Sequence, residues 1–275
     1  MSRTFSGGAG RASKWARGRS VIWMLGAAAL AATFVMTVQM SGERSAIADS
    51  AERVRVLLLT GGHAFEREPF LQVFGADPAL DVTHLEHSGE SADAWLKADL
   101  ERVDAVVLYD MPREIDDAQK ARFLSIFDRG IGLLVMHHAL VSFQRWPEYE
   151  RIIGGRFVDI NKGGDASRPA SGYQHDVAIP VLLAEPHPVS AGLANFTIQD
   201  EIYWSYQVGA DVVPLLRTSH PKSGNPLAWA RTERASKVVY LLLGHGPSAY
   251  EHASYRRLVA NAIRHVAKRR APATR

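Results

Sequence analysis

The 275-residue chain contains no cysteine. It therefore has no disulfide bond, iron–sulfur cluster or cysteine-ligated zinc site, and it uses no cysteine nucleophile. The sequence also lacks the GxGxxG, P-loop, HExxH and GxSxG motifs, so nucleotide binding and two common hydrolase classes have no support. Hydrophobic residues make up 47% of the chain and charged residues 22%. These values are typical of a folded globular protein and exclude a wholly disordered chain.

The N-terminal segment has the pattern of an export signal. Residues 1–20 include five basic residues and no acidic one, and residues 21–40 form an uncharged apolar run. That run is long enough to cross a bilayer as a helix. Ala46-Ile47-Ala48 is a small-x-small pattern of the kind that signal peptidase accepts. We expect residues 1–48 to be a signal peptide or, if uncleaved, an inner-membrane anchor through residues 21–40. The basic flank predicts a periplasmic or extracytoplasmic remainder.

The positive charge of the chain belongs mostly to this segment. Residues 1–48 hold six of the 32 basic residues and one of the 29 acidic residues, which leaves a net charge of −2 for the remainder. Residues 269–275 are a short basic tail, and such tails are usually solvated. The sequence therefore predicts no nucleic-acid binding and favours a small molecule as the partner.

Residues 53–268 alternate between strand and helix patterns and form one predicted domain. Strands are predicted at 53–60, 81–85, 103–109 and 131–136, and helices at 69–74, 92–100 and 116–128. Strands separated by helices of this length pair in parallel with right-handed crossovers. Near-continuous apolar strands are covered on both faces. The predicted class is therefore a doubly wound α/β fold with a mostly parallel sheet.

The second half of the domain is richer in strand patterns. Strands are predicted at 175–183, 198–208, 212–219, 227–232 and 237–243, before a closing helix at 255–268. Few helices separate these strands, which indicates an antiparallel extension of the parallel core.

Ligands of open α/β sheets bind beyond the carboxyl ends of the strands. The residues at these ends are Gly61, Gly62 and His63, then Asp110, then His137 and His138, and finally His245. Three core strands thus deliver histidine to one edge, which predicts a functional site; a structural polar network is the alternative. The two glycines let a ligand approach the backbone closely. His84 and His87 follow an alternating strand and are predicted to be surface groups.

A second candidate group follows the strand pattern near residue 200. Asp200 and Glu201 stand beside Tyr203 and Trp204. Carboxylates hydrogen-bond to sugar hydroxyls and aromatic rings stack on sugar faces, so this group suits carbohydrate recognition. A carboxylate beside aromatic rings also suits acid–base chemistry. The alternative is a strand end capped by surface acids.

The strand-end histidines are also candidate metal ligands. His63, His137, His138 and His245, with Asp110 or Glu201, supply the imidazole and carboxylate groups that zinc accepts. The spacing matches no tight metal motif, so the sequence leaves the ligand set open. A divalent metal such as zinc is the candidate cofactor.

Seven segments within residues 53–267 resemble the ThuA-like, trehalose-utilisation family. They are LLLTGGHAFE at 57–66, GLLVMHHA at 132–139, YERIIGGRF at 149–157, HPVSAGL at 187–193, DEIYW at 200–204, PLAW at 226–229 and VVYLLLGHG at 238–246. The resemblance implies a flavodoxin-like sheet similar to class I glutamine amidotransferases. In that superfamily a cysteine nucleophile follows a central strand, at a turn that here resembles Met136-His137-His138. Cysteine-dependent amidotransferase chemistry is thus excluded, and the resemblance implies metabolism of trehalose-type or keto sugars.

The leading hypothesis is an exported enzyme, a hydrolase or isomerase, that acts on a small carbohydrate. Its candidate catalytic residues are His63, His137, His138, His245 and Glu201, and its candidate binding residues are Gly61, Gly62, Asp110, Asp200, Tyr203 and Trp204. Two alternatives remain at this point. One is a module that binds a sugar or glycan without turnover, and the other is a structural or interaction domain.

Overall fold

The computed structural model describes residues 53–268. Its strands are β1 (Val54–Gly61), β2 (Leu80–Glu86), β3 (Ala105–Asp110), β4 (Gly132–Met136), β5 (Gly155–Arg156), β6 (Gly172–Leu183), β7 (Phe196–Trp204), β8 (Gln207–Val208), β9 (Val213–Thr218), β10 (Ala228–Glu233) and β11 (Ser236–Leu241). Its α-helices are α1 (Arg67–Gly75), α2 (Ala94–Lys97), α3 (Asp117–Asp128), α4 (Pro147–Ile153), α5 (Pro247–Tyr250) and α6 (Ala253–Val266). The expected signal or anchor at 1–48 and the tail at 269–275 lie outside the described residues. No helix within 53–268 is long and apolar enough to span a membrane.

Five parallel strands form the centre of the fold, in the order β2-β1-β3-β4-β11. All residues of β3 and β4 are buried, as expected for strands with a helical layer on each face. This is the flavodoxin-like strand order, with β11 as the fifth strand. The predicted doubly wound class is confirmed.

Four antiparallel strands continue the sheet beyond β11, in the order β10, β9, β6 and β7. The predicted antiparallel extension is therefore present. The single strand predicted at 198–208 is wrong in detail, because the chain breaks into β7 and β8. Ser205 lies between them with a φ of 56°, a left-handed conformation that interrupts an extended strand.

The helices follow local signals in the sequence. Helix α3 begins with a capping box, in which Asp116 and Gln119 each accept a hydrogen bond from the other's backbone N–H. Helix α6 buries six residues of one face, from Tyr255 to Val266. Helix α2 is only four residues long, shorter than the predicted 92–100 helix.

The last strand of the extension folds back toward the centre of the sheet. Three strands, β6, β9 and β10, separate β7 from β11 in the order of the sheet. Even so, the Asp200 carboxylate of β7 accepts hydrogen bonds from the backbone N–H groups of Gly244 and His245, just after β11. The extension must therefore curl, and the curl brings β7 to the carboxyl ends of the parallel strands.

Candidate functional site

A cavity of about 380 Å³ lies where β7 meets the carboxyl ends of the parallel strands. Six of the predicted site residues line it: His63, His137, His138, Glu201, Tyr203 and His245. Other polar or aromatic residues of its wall are Phe157, Asp159, Lys162, Tyr173 and His175. The convergence of three strand ends on one edge, expected from the sequence, thus occurs around an open space.

His137 lies at the centre of the polar wall. It follows β4 directly and has a φ of 49°, a conformation that a non-glycine residue adopts only when its surroundings impose it. Its Nδ1 lies 2.6 Å from the Leu242 carbonyl oxygen, so Nδ1 carries a proton and donates it there. The other nitrogen, Nε2, therefore faces the remaining polar groups of the wall.

Three polar atoms surround His137 Nε2. Glu201 Oε2 lies at 3.0 Å, the Tyr203 hydroxyl at 3.1 Å and His245 Nδ1 at 3.2 Å. A single N–H group donates a good hydrogen bond to only one acceptor. Nε2 therefore serves one of these acceptors at a time, while the Tyr203 hydroxyl carries a proton of its own to donate.

Glu201 connects these groups to a residue that the sequence analysis missed. Its Oε1 lies 2.9 Å from His175 Nδ1, while its Oε2 faces His137 and lies 3.6 Å from His245 Nδ1. His175 lies within an irregularity of β6, where the pairing register with β7 shifts between Gln174 and Val177. Such bulges redirect side chains next to active sites. No local sequence signal gives the register shift, so His175 could not have been selected from the sequence.

In the buried pair, each side chain favours the charged form of the other. Burial alone would lower the pKa of His137, but the hydrogen bond and charge of Glu201 outweigh it and raise the pKa. Burial would raise the pKa of Glu201, and the hydrogen bond and charge of His137 lower it instead. Burial and the charge of His137 lower the pKa of His245. The site thus combines a buried pair whose pKa values shift toward the charged forms with a partly exposed imidazole whose pKa shifts toward the neutral form.

Asp200 fixes this geometry without facing the main cavity. Its Oδ1 accepts the backbone N–H groups of Glu201 and His245, both at 2.9 Å, and its Oδ2 accepts that of Gly244 at 2.7 Å. One buried carboxylate therefore holds the backbone of both Glu201 and His245. The structure gives Asp200 a positioning contact where the sequence analysis expected a substrate contact.

The remaining two histidines pack together on another part of the wall. The rings of His63 and His138 stack with centroids 4.6 Å apart. Both ring nitrogens of His138 are buried and have no hydrogen-bond partner within residues 53–268. Burial, with the charges of His137 and His63, lowers the pKa of His138 well below its ordinary value. His138 therefore supports His63 by packing, and it lies in the cavity wall with both ring nitrogens buried and, within the described residues, unpaired.

Several predicted binding residues lie away from the cavity. Trp204 covers the backbone of Gly172, where an added Cβ would lie 2.4 Å from the indole ring. A Cβ at Gly61 would lie 3.0 Å from His87, and one at Gly62 would lie 2.5 Å from the Met111 backbone. The glycines thus permit close approach of a neighbouring chain segment, whereas the sequence analysis expected them to admit a ligand.

Asp110 pairs with a histidine that the sequence analysis placed on the surface. That prediction for His87 is wrong, because His87 is buried and its Nε2 lies 2.9 Å from Asp110 Oδ2. Both side chains are fully buried. His84 is partly buried and bonds to the Thr60 hydroxyl through Nε2, at 2.8 Å. Asp110 and His87 therefore form a sealed pair beside the site through Oδ2, while the buried Oδ1 has no hydrogen-bond partner within residues 53–268.

The cluster with the geometry to hold a metal ion is smaller than the predicted ligand set. His137, Glu201 and His245 each offer one ligand atom, and these atoms lie within 4.8 Å of one another. The other two predicted metal ligands, His63 and His138, are not part of this cluster. Glu201, offered by the sequence only as an alternative carboxylate, takes their place.

Comparison of the sequence with models of protein families identifies one family over most of the described residues. The model of the ThuA family, described as trehalose utilisation, matches residues 53–266. The chain belongs to the ThuA family. The resemblance found in the sequence is therefore confirmed over nearly the whole described domain. A comparison with curated proteins gave no match.

Solved structures of ThuA-like proteins share the fold. One, from Parabacteroides merdae, is 18% identical with a TM-score of 0.66, and the alignment covers 80% of this chain and 94% of that one. Another, from Bacteroides uniformis, is 21% identical with a TM-score of 0.55, covering 77% and 90%. These structural similarities establish the ThuA-like fold. At identities this low they say nothing about activity.

Proposed function

We propose that this ThuA-family protein is an enzyme that acts on a small carbohydrate, with His137, Glu201 and His245 as its reactive centre. The observation that carries the proposal is the convergence of Glu201, Tyr203 and His245 on His137 Nε2 at the wall of an open cavity. The cavity of about 380 Å³ falls within the usual ~300–1,000 Å³ of small-molecule sites. The family description, trehalose utilisation, supports a sugar as the ligand.

The remaining wall suits sugar recognition. Tyr173 is 57% exposed, and its ring offers an open face at the cavity. Lys162 and Asp159 provide a donor and an acceptor for hydroxyl groups on the same wall. Tyr173 thus takes the role of sugar platform that the sequence analysis assigned to Tyr203 and Trp204.

The chemistry that fits this centre is proton transfer at a hydroxyl or carbonyl group of the sugar. His245 is one-third exposed at the cavity, so its ring is accessible to a bound ligand. His137 Nε2 and Glu201 Oε2 lie 3.0 Å apart, close enough to pass a proton between them. Positioned acid–base groups of this kind serve both hydrolysis and isomerisation, which are the two reaction classes that we propose.

A divalent metal such as zinc is the cofactor that belongs to this proposal. His137, His245 and Glu201 supply the imidazole and carboxylate ligands that zinc accepts. When bound, the ion would polarise a substrate oxygen or activate a water molecule.

A binding module without turnover is the second candidate. The observation that favours it is that both Glu201 oxygens are engaged by imidazoles, Oε1 by His175 and Oε2 by His137. A site whose carboxylate is engaged on both oxygens can hold a sugar without transforming it.

We also propose that the protein acts outside the cytoplasm. The support is the basic and apolar pattern of residues 1–40 with the small-x-small pattern before residue 49. A small carbohydrate is the proposed partner, with the membrane as a further one if residues 21–40 are retained as an anchor.

The test is incubation of the full chain with trehalose, keto-disaccharides and their monosaccharides, with products detected by mass spectrometry and NMR. We expect turnover of at least one sugar, reduced about 100-fold or more in Glu201→Gln. Glu251→Gln, at an exposed glutamate after α5, is the matched control and should retain wild-type turnover. Sugar binding without product would favour the binding module, and neither binding nor product would overturn both.

A further inference from the structure

We infer that His137 Nε2, His245 Nδ1 and Glu201 Oε2 form a three-ligand divalent metal centre whose carboxylate is positioned by His175. For the use of the ion, this centre rests on the proposed function. It adds to that function the coordinating atoms and the residue that positions the carboxylate. All three residues line the cavity, so a water molecule or substrate oxygen from the cavity would complete the coordination of a bound ion. Three protein ligands with one open position is the usual arrangement of catalytic zinc sites.

The distances between the three ligand atoms support this centre. They are 3.0 Å from His137 Nε2 to Glu201 Oε2, 3.2 Å from His137 Nε2 to His245 Nδ1, and 3.6 Å from His245 Nδ1 to Glu201 Oε2. Ligand atoms around a tetrahedral ion with bonds of about 2.0–2.2 Å lie about 3.3–3.6 Å apart. Small side-chain shifts would therefore complete the site.

The tautomer of His137 is already the one that a metal requires. Its Nδ1–H is committed to the Leu242 carbonyl oxygen, which leaves Nε2 for the ion. A ligating histidine usually donates its other N–H to a carbonyl or carboxylate, and this contact fixes the ring orientation. Binding of the ion would release any proton held on Nε2.

His175 holds the carboxylate ligand from behind. Its Nδ1 contacts Glu201 Oε1 at 2.9 Å, which directs Oε2 toward the two ligating histidines. The ring of His175 also lies against that of His245, with centroids 4.5 Å apart. Loss of such a supporting contact typically lowers metal affinity about 10–100-fold.

The other pocket histidines provide a sharp contrast. His63 stacks on His138, and the nitrogens of His138 are enclosed by protein. A centre built on all the cavity histidines would need these two rings, whereas the proposed centre does not. His63→Ala therefore separates the two ligand sets.

The experiment is a metal titration of the full chain, purified without a polyhistidine tag and stripped with a chelator. Zn²⁺ is titrated by calorimetry, and Co²⁺ is added separately because its visible spectrum reports the coordination geometry. We expect one ion per chain and a four-coordinate Co²⁺ spectrum. Glu201→Gln and His245→Ala should abolish both signals, while His63→Ala and His220→Ala should bind as the wild type does.

The positioning role of His175 has its own readout. His175→Ala should weaken Zn²⁺ binding about 10–100-fold, and His175→Asn should restore part of it, because the amide nitrogen can replace Nδ1 as the donor to Glu201. Each variant is checked for wild-type thermal unfolding before titration. Equal affinity in His175→Ala and the wild type would overturn the role of His175.

Failure of the metal centre and failure of the proposed function are distinguishable. A wild-type chain that binds neither Zn²⁺ nor Co²⁺, or that loses the ion equally in His63→Ala, overturns the metal centre. If that chain still converts a sugar, the proposed function stands. Stoichiometric metal binding that depends on Glu201, without sugar binding or turnover, overturns the function and leaves the centre intact.

Discussion

Two buried imidazole–carboxylate pairs lie at the same edge of the sheet, yet they differ in what surrounds them. His87 and Asp110 meet at 2.9 Å, and His137 and Glu201 meet at 3.0 Å. In the first pair, His87 Nδ1 accepts the backbone N–H of Ala94 at 3.1 Å, so both ring nitrogens are used within the protein. In the second, His137 Nε2 lies within 3.2 Å of polar atoms of Glu201, Tyr203 and His245, at the wall of a cavity.

The difference shows what distinguishes a candidate site from a structural contact. Proximity of a histidine to a carboxylate is common to both pairs, and so is burial. The contact of one ring nitrogen with three polar side chains and the access to a cavity belong only to the His137–Glu201 pair among these two. We therefore expect loss of the first pair to affect stability, and loss of the second to affect ligand binding and turnover.

Breaking the sealed pair is the first way to test the comparison. Asp110→Ala leaves the fully buried His87 ring without its partner, which should lower the free energy of unfolding by about 3–5 kcal/mol. Urea unfolding followed by circular dichroism measures this loss. Asp81→Ala, at an exposed position of β2, is the control and should change stability by less than about 0.5 kcal/mol. Equal stability of the two variants would show that the sealed pair is not structural.

The parallel core and its histidine edge could be predicted because both depend on local patterns. The apolar runs of β3 and β4 identify buried parallel strands, and the ends of neighbouring parallel strands meet at one edge. His137 and His245 follow from that rule. Asp110 lies at the same edge but does not reach the cavity, because successive side chains of a strand point to opposite faces. Tyr109 approaches His138, and Asp110 turns to His87.

The rest of the site depends on geometry that has no local signal. Glu201 reaches the centre only because the antiparallel extension curls and Asp200 binds the segment after β11. His175 reaches Glu201 only because the pairing of β6 and β7 shifts in register. Register and curl arise from contacts between distant segments, which a single sequence does not display.

Substitution of Asp200 should have a smaller effect on stability, and it should also affect the site. Asp200→Asn places an NH₂ group where one oxygen now accepts backbone N–H groups, so at least one of three hydrogen bonds is lost. We expect the free energy of unfolding to fall by about 1–3 kcal/mol. Zn²⁺ affinity should fall as well, because the backbone of both Glu201 and His245 is held by this carboxylate.

Urea unfolding and Zn²⁺ calorimetry on the same preparation measure the two effects. Asp128→Asn, an exposed aspartate whose contact to Arg234 is a surface ion pair, should leave both unchanged within about 0.5 kcal/mol. A loss of stability with unaltered Zn²⁺ affinity would mean that Asp200 supports the fold alone.

The smallest expected effect comes from His187 and His265, a histidine pair that, within the described residues, has cationic neighbours and no carboxylate among them. It therefore shows what a partly buried histidine does without the carboxylate that His137 has. The rings of His187 and His265 lie with centroids 4.6 Å apart. Burial, then the charges of Lys237 and His187, lowers the pKa of His265 to about 4 from its ordinary 6.5. Between these values the unfolded chain binds more protons than the folded one, so stability falls as the pH decreases through this window.

His265→Gln should reduce the loss of unfolding free energy between pH 7 and pH 4.5 by on the order of 1 kcal/mol or less, because the partly exposed ring is screened by solvent. Urea unfolding of wild type and variant at pH 7, 5.5 and 4.5 measures the difference, and parallel curves would show that His265 titrates alike in both states. A reduced slope would mean that a histidine pair without a carboxylate loses its charge on folding, the reverse of His137 beside Glu201.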